Sequence, residues 1–187
     1  MLNNISPKIG RLLISEPFMA DPNFKRSVIL ITEHNEDGTV GYILNQAGNL
    51  LVKDVVEGLT EAHNLIHFGG PVATDTIHFI HRCYDKLLSG DPIGDGIYWG
   101  GNFETLRILM ETGAIEDNEI KFFMGYSGWD VGQLDSEIKD NAWMVSNIPY
   151  VDILFNDDDE QLWRDVIVNL GPKYAHVSNF PSDPSLN

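Results

Sequence analysis

The sequence has very little cysteine: Cys83 is the only one among 187 residues. One cysteine cannot form an internal disulfide, so a disulfide-stapled extracellular domain is excluded. The first eight residues lack the apolar core of a secretory signal peptide. No run approaches the roughly 18 consecutive apolar residues that a membrane helix needs. We therefore expect a cytoplasmic protein without a membrane-spanning helix.

Basic side chains are also scarce. Twelve Lys and Arg stand against 28 Asp and Glu, which gives a formal net charge of −16 at pH 7. The first 35 residues carry four basic and three acidic side chains, whereas residues 36–187 carry eight basic and 25 acidic ones. Affinity for duplex nucleic acid comes largely from Lys and Arg that displace phosphate counterions, so this charge argues against direct nucleic-acid binding. A basic protein partner or a cationic ligand is compatible with it.

Internal repeats, low-complexity tracts and linkers rich in Pro, Gly and Ser are absent too. A chain of this length fits one domain, and a hydrophobic fraction of 43% fits a globular chain and not a disordered one. We predict a single domain over residues 1–187, with a core from about 9 to 171 and a C-terminal tail over 172–187.

What the sequence does contain is a series of short apolar runs typical of strands. The runs 27–33 and 39–45 flank a turn that includes Asp37 and Gly38, which predicts a β-hairpin. Similar runs predict further strands at 10–15, 66–70, 76–81, 97–99, 120–125, 142–145 and 151–155.

Helices are fewer, and two of them have clear end signals. Asn102 is placed to cap a helix that continues to about residue 112 and is ended by Gly113. Asn156 or Asp157 is placed to cap a second helix, which Gly171 ends. Shorter helices are predicted near 52–58 and 133–140. Strands outnumber helices and do not alternate strictly with them, so we predict an α+β domain with a curved, mixed sheet and a few covering helices.

The segment Gly125-Tyr126-Ser127-Gly128-Trp129 lies between a predicted strand and a predicted helix, which is the setting of a nucleophile elbow. That elbow needs a glycine two residues after the serine, and Trp129 occupies the position. The segment therefore favours a tight turn shaped by glycines, with Ser127 as a nucleophile left as the alternative.

Two further glycine turns, Gly69-Gly70-Pro71 and Gly100-Gly101, follow predicted strands. Such turns can present backbone N–H groups to an anion. Lys and Arg are absent nearby in sequence, and acidic side chains are close: Asp75, Asp95 and Glu104. We favour a structural reason for the glycines, with a ligand site as the alternative.

Candidate metal ligands are incomplete. In the pattern His78, His81, Cys83, a strand places only His81 and Cys83 on one face, and two ligands fall short of a zinc site. The acidic run 157–160 lacks the spacing and glycine of a calcium loop and fits a helix start better. We therefore predict neither a metal nor a cofactor.

Several segments together resemble the YqgE/AlgH family of bacterial proteins, in order and at compatible spacing from about residue 9 to 171. The most specific is 125–129 with Gly132-Gln133-Leu134, and the other segments are 10–17, 21–28, 41–45, 68–72, 99–101, 162–163 and 170–171. The resemblance implies a compact fold with a barrel-like, strongly curved sheet, and a cytoplasmic location. It supplies no established activity and no agreed catalytic residues, and some members carry the label of putative transcriptional regulator. Members often continue the position of Asn45 with a basic residue and proline, whereas this chain has Gln46 and Ala47.

The leading hypothesis is therefore a non-catalytic binding or adaptor domain with an unknown protein or small-molecule partner. Its predicted contact surface gathers the glycine turns with their neighbours: Arg26, Asn45, Gly69, Gly70, Pro71, Gly100, Gly101, Gly125, Ser127, Gly128 and Trp129. Two alternatives stay open. One is a hydrolase or transferase that uses Ser127 or His81, and the other is a transcriptional regulator that acts indirectly, without DNA contact.

Overall fold

The computed structural model describes residues 5–175, except for the side chain of Lys173. Its strands are β1 (Leu12–Ser15), β2 (Val28–Asn35), β3 (Gly38–Ile43), β4 (Ala47–Leu51), β5 (Leu65–Phe68), β6 (Val72–His81), β7 (Asp91–Gly94), β8 (Ile97–Trp99), β9 (Ile120–Trp129) and β10 (Trp143–Ser146). Its α-helices are α1 (Val52–Val55), α2 (Tyr84–Leu87), α3 (Phe103–Glu111), α4 (Gln133–Lys139), α5 (Asp159–Asn169) and α6 (Pro172–Ala175). Short 3₁₀ turns occupy Pro22–Phe24, Asp117–Glu119 and Val151–Phe155.

The strands form one large, mainly antiparallel sheet in the order β10-β1-β2-β3-β9-β6-β8-β7. β5 pairs parallel with β9, and β4 pairs antiparallel with β5. The sheet is therefore mixed, and the predicted α+β class is confirmed. β9 is its central element because it contacts β3, β5 and β6.

Curvature brings the two ends of the sheet to one interior. Leu12 and Leu30 from one end share a buried cluster with Ile93 and Ile97 from the other. The sheet curls strongly without closing into a barrel. The apolar face of α5 fills the interior with buried side chains: Leu162, Trp163, Val166 and Ile167.

Two smaller clusters cover the outer side of the sheet. α1 and α3 pack over β5 and β9 through residues that include Val52, Leu106 and Phe122. α4 packs with β1–β3 through Leu134 and Ile29. The central strand β9 is thus covered on both faces over most of its length.

The predicted elements are largely present, with shifted ends. The hairpin is β2–β3, and its turn is shorter than predicted because β2 continues to Asn35. Asn102 caps α3 by accepting a hydrogen bond from Thr105 N at 2.9 Å, whereas Asp158, and not Asn156 or Asp157, caps α5.

Three predictions need correction. The segment Val151–Phe155 is a 3₁₀ turn and not a strand, because its apolar side chains pack into the interior beside α5 instead of joining a ladder. The helix near 52–58 is only the turn Val52–Val55. The core extends past 171, because Tyr174 of α6 is buried in the interior cluster. The rest of the predicted tail, 176–187, lies outside the described residues.

Candidate functional site

The Gly-Gly turn after β5 packs directly against residues 125–127 of β9. Ser127 Oγ donates a hydrogen bond to Gly69 O at 3.0 Å, and Ile43 N donates to the same carbonyl at 3.0 Å. A Cβ on Gly70 would lie 2.3 Å from the backbone carbonyl of Tyr126. The predicted turns at 69–70 and 125–127 therefore do meet, and glycine is needed there because backbone packs on backbone.

Asn45 connects this region to α5. Its Oδ1 accepts from Val28 N at 2.8 Å, and its Nδ2 donates to Arg26 O at 2.8 Å and to Asp159 O at 3.2 Å. The Arg26 guanidinium lies over the ring of Trp163, 4.7 Å from its centroid. Both predicted site residues thus join the start of β2 to the start of α5.

The turn Gly100-Gly101 lies at the end of β8. The Gly100 N–H donates to Phe79 O at 2.9 Å, and a Cβ on Gly101 would lie 2.9 Å from Ser89 Oγ. The Gly100 amide is therefore engaged within the fold and does not face an open anion site.

Trp129 is buried beneath α4. Its Nε1 donates to Glu137 Oε2 at 2.9 Å, and Trp143 Nε1 donates to the same oxygen at 2.7 Å. Pro71 and Gly128 are exposed. Of the predicted surface, residues 69–70 therefore contact residues 125–127, whereas Trp129 packs in the hydrophobic cluster beneath α4.

Ser127 and His81, the two candidate catalytic residues, are fully buried, and so is Cys83. The Ser127 hydroxyl donates its hydrogen bond to Gly69 O and is buried. His81 Nδ1 lies 3.7 Å from Cys83 Sγ, and the ring stacks on Tyr98 with 5.5 Å between centroids. Burial raises the pKa of Cys83 to about 11 and lowers the pKa of His81. Neither a thiolate nucleophile nor a solvent-accessible base results from this geometry.

An aromatic cluster lines the interior beside the glycine junction. Trp99 Nε1 donates to Tyr42 Oη at 3.0 Å, and burial raises the pKa of Tyr42. The His78 ring lies 5.3 Å from Tyr42 and 6.1 Å from Tyr126 between centroids. Tyr126 is only half-buried and faces a surface cleft.

That cleft lies between the β2–β3 hairpin and the end of β9, and its volume is about 350 Å³. We call it the acidic cleft. Three exposed carboxylates line it, from Glu33, Asp37 and Asp130. Its apolar surface comes from Val40, Val72 and Tyr126, and none of the described Lys or Arg side chains lines it. The cleft also includes Gly128 and Trp129 from the predicted contact surface.

A second cluster was not predicted from the sequence. Lys121 in β9 and His67 in β5 are buried, and both lie close to Asp157 in the turn before α5. Burial lowers the pKa of Lys121 to about 8. Burial, together with the Lys121 charge, lowers the pKa of His67 to about 3. The signal in the sequence was a lysine inside the apolar run 120–124.

Among residues 5–175, His, Cys, Asp and Glu side chains nowhere gather in threes with a geometry suited to a metal ion. The helices in this part of the chain are too short or too polar to cross a bilayer.

Comparisons with known proteins agree on one family. The AlgH-like family model, DUF179, matches residues 12–175. A UPF0301 protein from Chlorobium limicola is 39% identical over 178 residues, which is 95% of each chain. A UPF0301 protein from Cytophaga hutchinsonii is 39% identical over 180 residues and covers 95% of this chain and 98% of its own.

Two solved structures are similar in fold. The AlgH protein from Pseudomonas aeruginosa, determined in solution, matches with a TM-score of 0.72 and 29% identity, over 96% of this chain and 98% of its own. The protein DIP2367 from Corynebacterium diphtheriae matches with a TM-score of 0.78 and 22% identity, over 95% of each chain.

Proposed function

The chain belongs to the AlgH-like family, DUF179, and we propose that it is a non-catalytic binding domain that holds a basic segment of a protein partner in the acidic cleft. The observation that carries the proposal is the lining of that cleft. The acidic residues Glu33, Asp37 and Asp130 line it together with apolar side chains. An arginine or lysine side chain matches both parts, because its stem packs on apolar groups while its charged end meets carboxylates.

Tyr126 adds a second attraction for a cation. Its ring lines the cleft, and a guanidinium placed on an aromatic face gains about 0.5–1 kcal/mol at an exposed site. The net charge of −16 would steer a basic partner towards the surface before contact. Free small cations meet the same charges but lack the stem that would cover Val40 and Val72.

The buried state of Ser127, His81 and Cys83 supports a binding function over a hydrolase or transferase. The single cysteine supports a site of action in the cytoplasm. An effect on transcription would be indirect, through the protein partner.

The test uses a fluorescein-labelled octapeptide of alternating arginine and glycine, with binding followed by fluorescence anisotropy at about 50 mM salt. We expect the triple variant Glu33→Gln, Asp37→Asn, Asp130→Asn to bind about tenfold more weakly than the unaltered protein, since each exposed pair contributes about 0.2–1 kcal/mol.

The matched control removes three exposed carboxylates elsewhere, through Glu57→Gln, Glu61→Gln and Asp85→Asn. This control removes the same number of negative charges as the first triple variant, so it should bind almost as well as the unaltered protein. An equal loss in both triple variants would reduce the interaction to net charge and overturn the assignment to the acidic cleft.

A further inference from the structure

The turn at 156–159, which leads into α5, is tied to the sheet from several directions. Ala47 N donates to Asp159 Oδ2 at 2.8 Å, and Asn45 Nδ2 donates to Asp159 O at 3.2 Å. Lys121 Nζ donates to Asn156 O at 2.8 Å. These contacts hold the ends of the turn and leave Asp157 between them.

Asp157 occupies a position between two buried basic groups. Its Oδ1 lies 3.7 Å from Lys121 Nζ and 3.5 Å from His67 Nε2. The Lys121 side chain is 2% exposed and the His67 side chain 1%, whereas that of Asp157 is 61% exposed. The carboxylate therefore reaches from solvent to a polar pair that is otherwise enclosed.

The fit of Asp157 to this pair is loose. Both distances exceed the 2.7–3.2 Å of a good N–H···O hydrogen bond. Neither ring nitrogen of His67 forms a hydrogen bond of good geometry among the described residues, and the backbone of Leu65 and Phe122 interacts only weakly with the ring. A buried polar atom in this condition normally has a partner, whether protein, water or ligand. Lys121 and His67 can therefore form shorter hydrogen bonds to a carboxylate than those that Asp157 offers.

We propose that Lys121 and His67 form a carboxylate-binding subsite, that the chain fills it with its own Asp157, and that a small monocarboxylate can take the place of Asp157. A free carboxylate could approach both nitrogens at hydrogen-bond distance, because it is not held at the length of the Asp157 side chain.

The charges around the subsite favour a ligand with a single negative charge. Asp159 carries a second carboxylate, which Lys121 also faces, and burial raises its pKa. With Asp157 displaced, the pair Lys121 and Asp159 is neutral, so a monoanion restores the original balance. A dianion such as phosphate would exceed it and would be repelled by Asp159. A bound carboxylate would also raise the lowered pKa of Lys121 by supplying a negative partner.

The subsite is independent of the acidic cleft. Lys121 lies near the start of β9 and Gly128 near its end, and neither Lys121, His67 nor Asp157 lines the acidic cleft. Failure of peptide binding in the acidic cleft would leave this inference standing, and the reverse is also true.

The test removes the resident carboxylate and offers a free one. We expect Asp157→Ala to lower the melting temperature at neutral pH, because Lys121 loses a charge partner while it stays buried. Sodium acetate at about 0.2 M should then raise the melting temperature of this variant by about 3 °C relative to sodium chloride of equal ionic strength. The part of the rise that depends on Lys121 should be clearly smaller in sodium phosphate, which also stabilises folded proteins non-specifically.

Two comparisons decide the outcome. The double variant Asp157→Ala, Lys121→Met should show no specific acetate response, and the unaltered protein should need about tenfold more acetate than Asp157→Ala because its own carboxylate competes. A missing acetate response in Asp157→Ala, or an equal response in the double variant, would overturn the inference. If Asp157→Ala does not fold, Asp157→Ser provides the same opening for the same titration.

Discussion

At the scale of single residues, the burial of His67 makes the unfolding free energy depend on pH in the acidic range. His67 is buried as a neutral imidazole, and its pKa lies near 3, below the usual value of 6.5, mainly because of burial. In the unfolded chain the same ring takes up a proton near its usual pKa. Stability from this group is therefore present above pH 6.5 and is lost as the pH falls from there towards 3.

We predict that His67→Gln flattens this part of the pH profile. Between about pH 6.5 and pH 5 the unaltered protein should lose about 2 kcal/mol more unfolding free energy than the variant, as measured by urea denaturation. His63→Gln, which changes an exposed histidine, should keep the slope of the unaltered protein. Parallel profiles for His67→Gln and the unaltered protein would contradict the assignment.

The contact between Lys121 and His67 shows which part of the site could not be predicted from the sequence. Lys121 is a charged residue in an apolar run, but its spatial neighbours could not be predicted from the sequence. His67 reaches it only because β5 pairs parallel with β9, and such pairing depends on the whole topology. Ser127 and Gly69 were both named from sequence as parts of glycine turns, and their direct hydrogen bond shows that these turns meet.

At the scale of elements, the junction of the β5 turn with β9 has no space for side chains. Gly70 has φ +151°, and its added Cβ would meet backbone atoms at 2.3 Å. Backbone cannot rotate away as a flexible side chain can. The strand and the turn must therefore move apart if any side chain enters here.

We predict that Gly70→Ala lowers the unfolding free energy by more than about 3 kcal/mol, or prevents folding. Gly96→Ala is the control, because Gly96 also has a positive φ of +77° but its Cβ would have nothing within 4 Å. Its cost should be about 1–2 kcal/mol, from backbone strain alone. Equal midpoints in urea for the two variants would show that the close contact at Gly70 is relieved at little cost.

The elements found from sequence were those with local signals. The β2–β3 hairpin had Asp-Gly at its turn, and α3 had Asn102 as its cap. β4 and β7 were missed because they are short, contain Gly, Asn, Asp or Pro, and become strands only through their partners. The run 151–155 looked like a strand because burial of a 3₁₀ turn also selects apolar residues.

At the scale of the whole molecule, the negative net charge argues against direct binding to nucleic acid. With a net charge of −16, the protein should not shift a duplex DNA probe in a gel at about 20 mM salt, where electrostatic attraction is strongest. The labelled arginine–glycine peptide provides the positive control in the same buffer. Retention of DNA under these conditions would contradict the expectation of an indirect effect on transcription.

The order in which strands meet has a consequence for synthesis on the ribosome. β1 pairs with β10 and β5 pairs with β9, so both strands are synthesised long before these partners. The helix α5, which fills the interior, follows all ten strands in the sequence. The nascent chain can close its β2–β3 hairpin early, but these distant pairings give the sheet a high contact order. Until β9 has left the exit tunnel, β5 lacks one of its two partners and β3 has an open edge, and exposed strand edges promote aggregation and chaperone capture. The native interior is therefore completed only when nearly the whole domain has been translated.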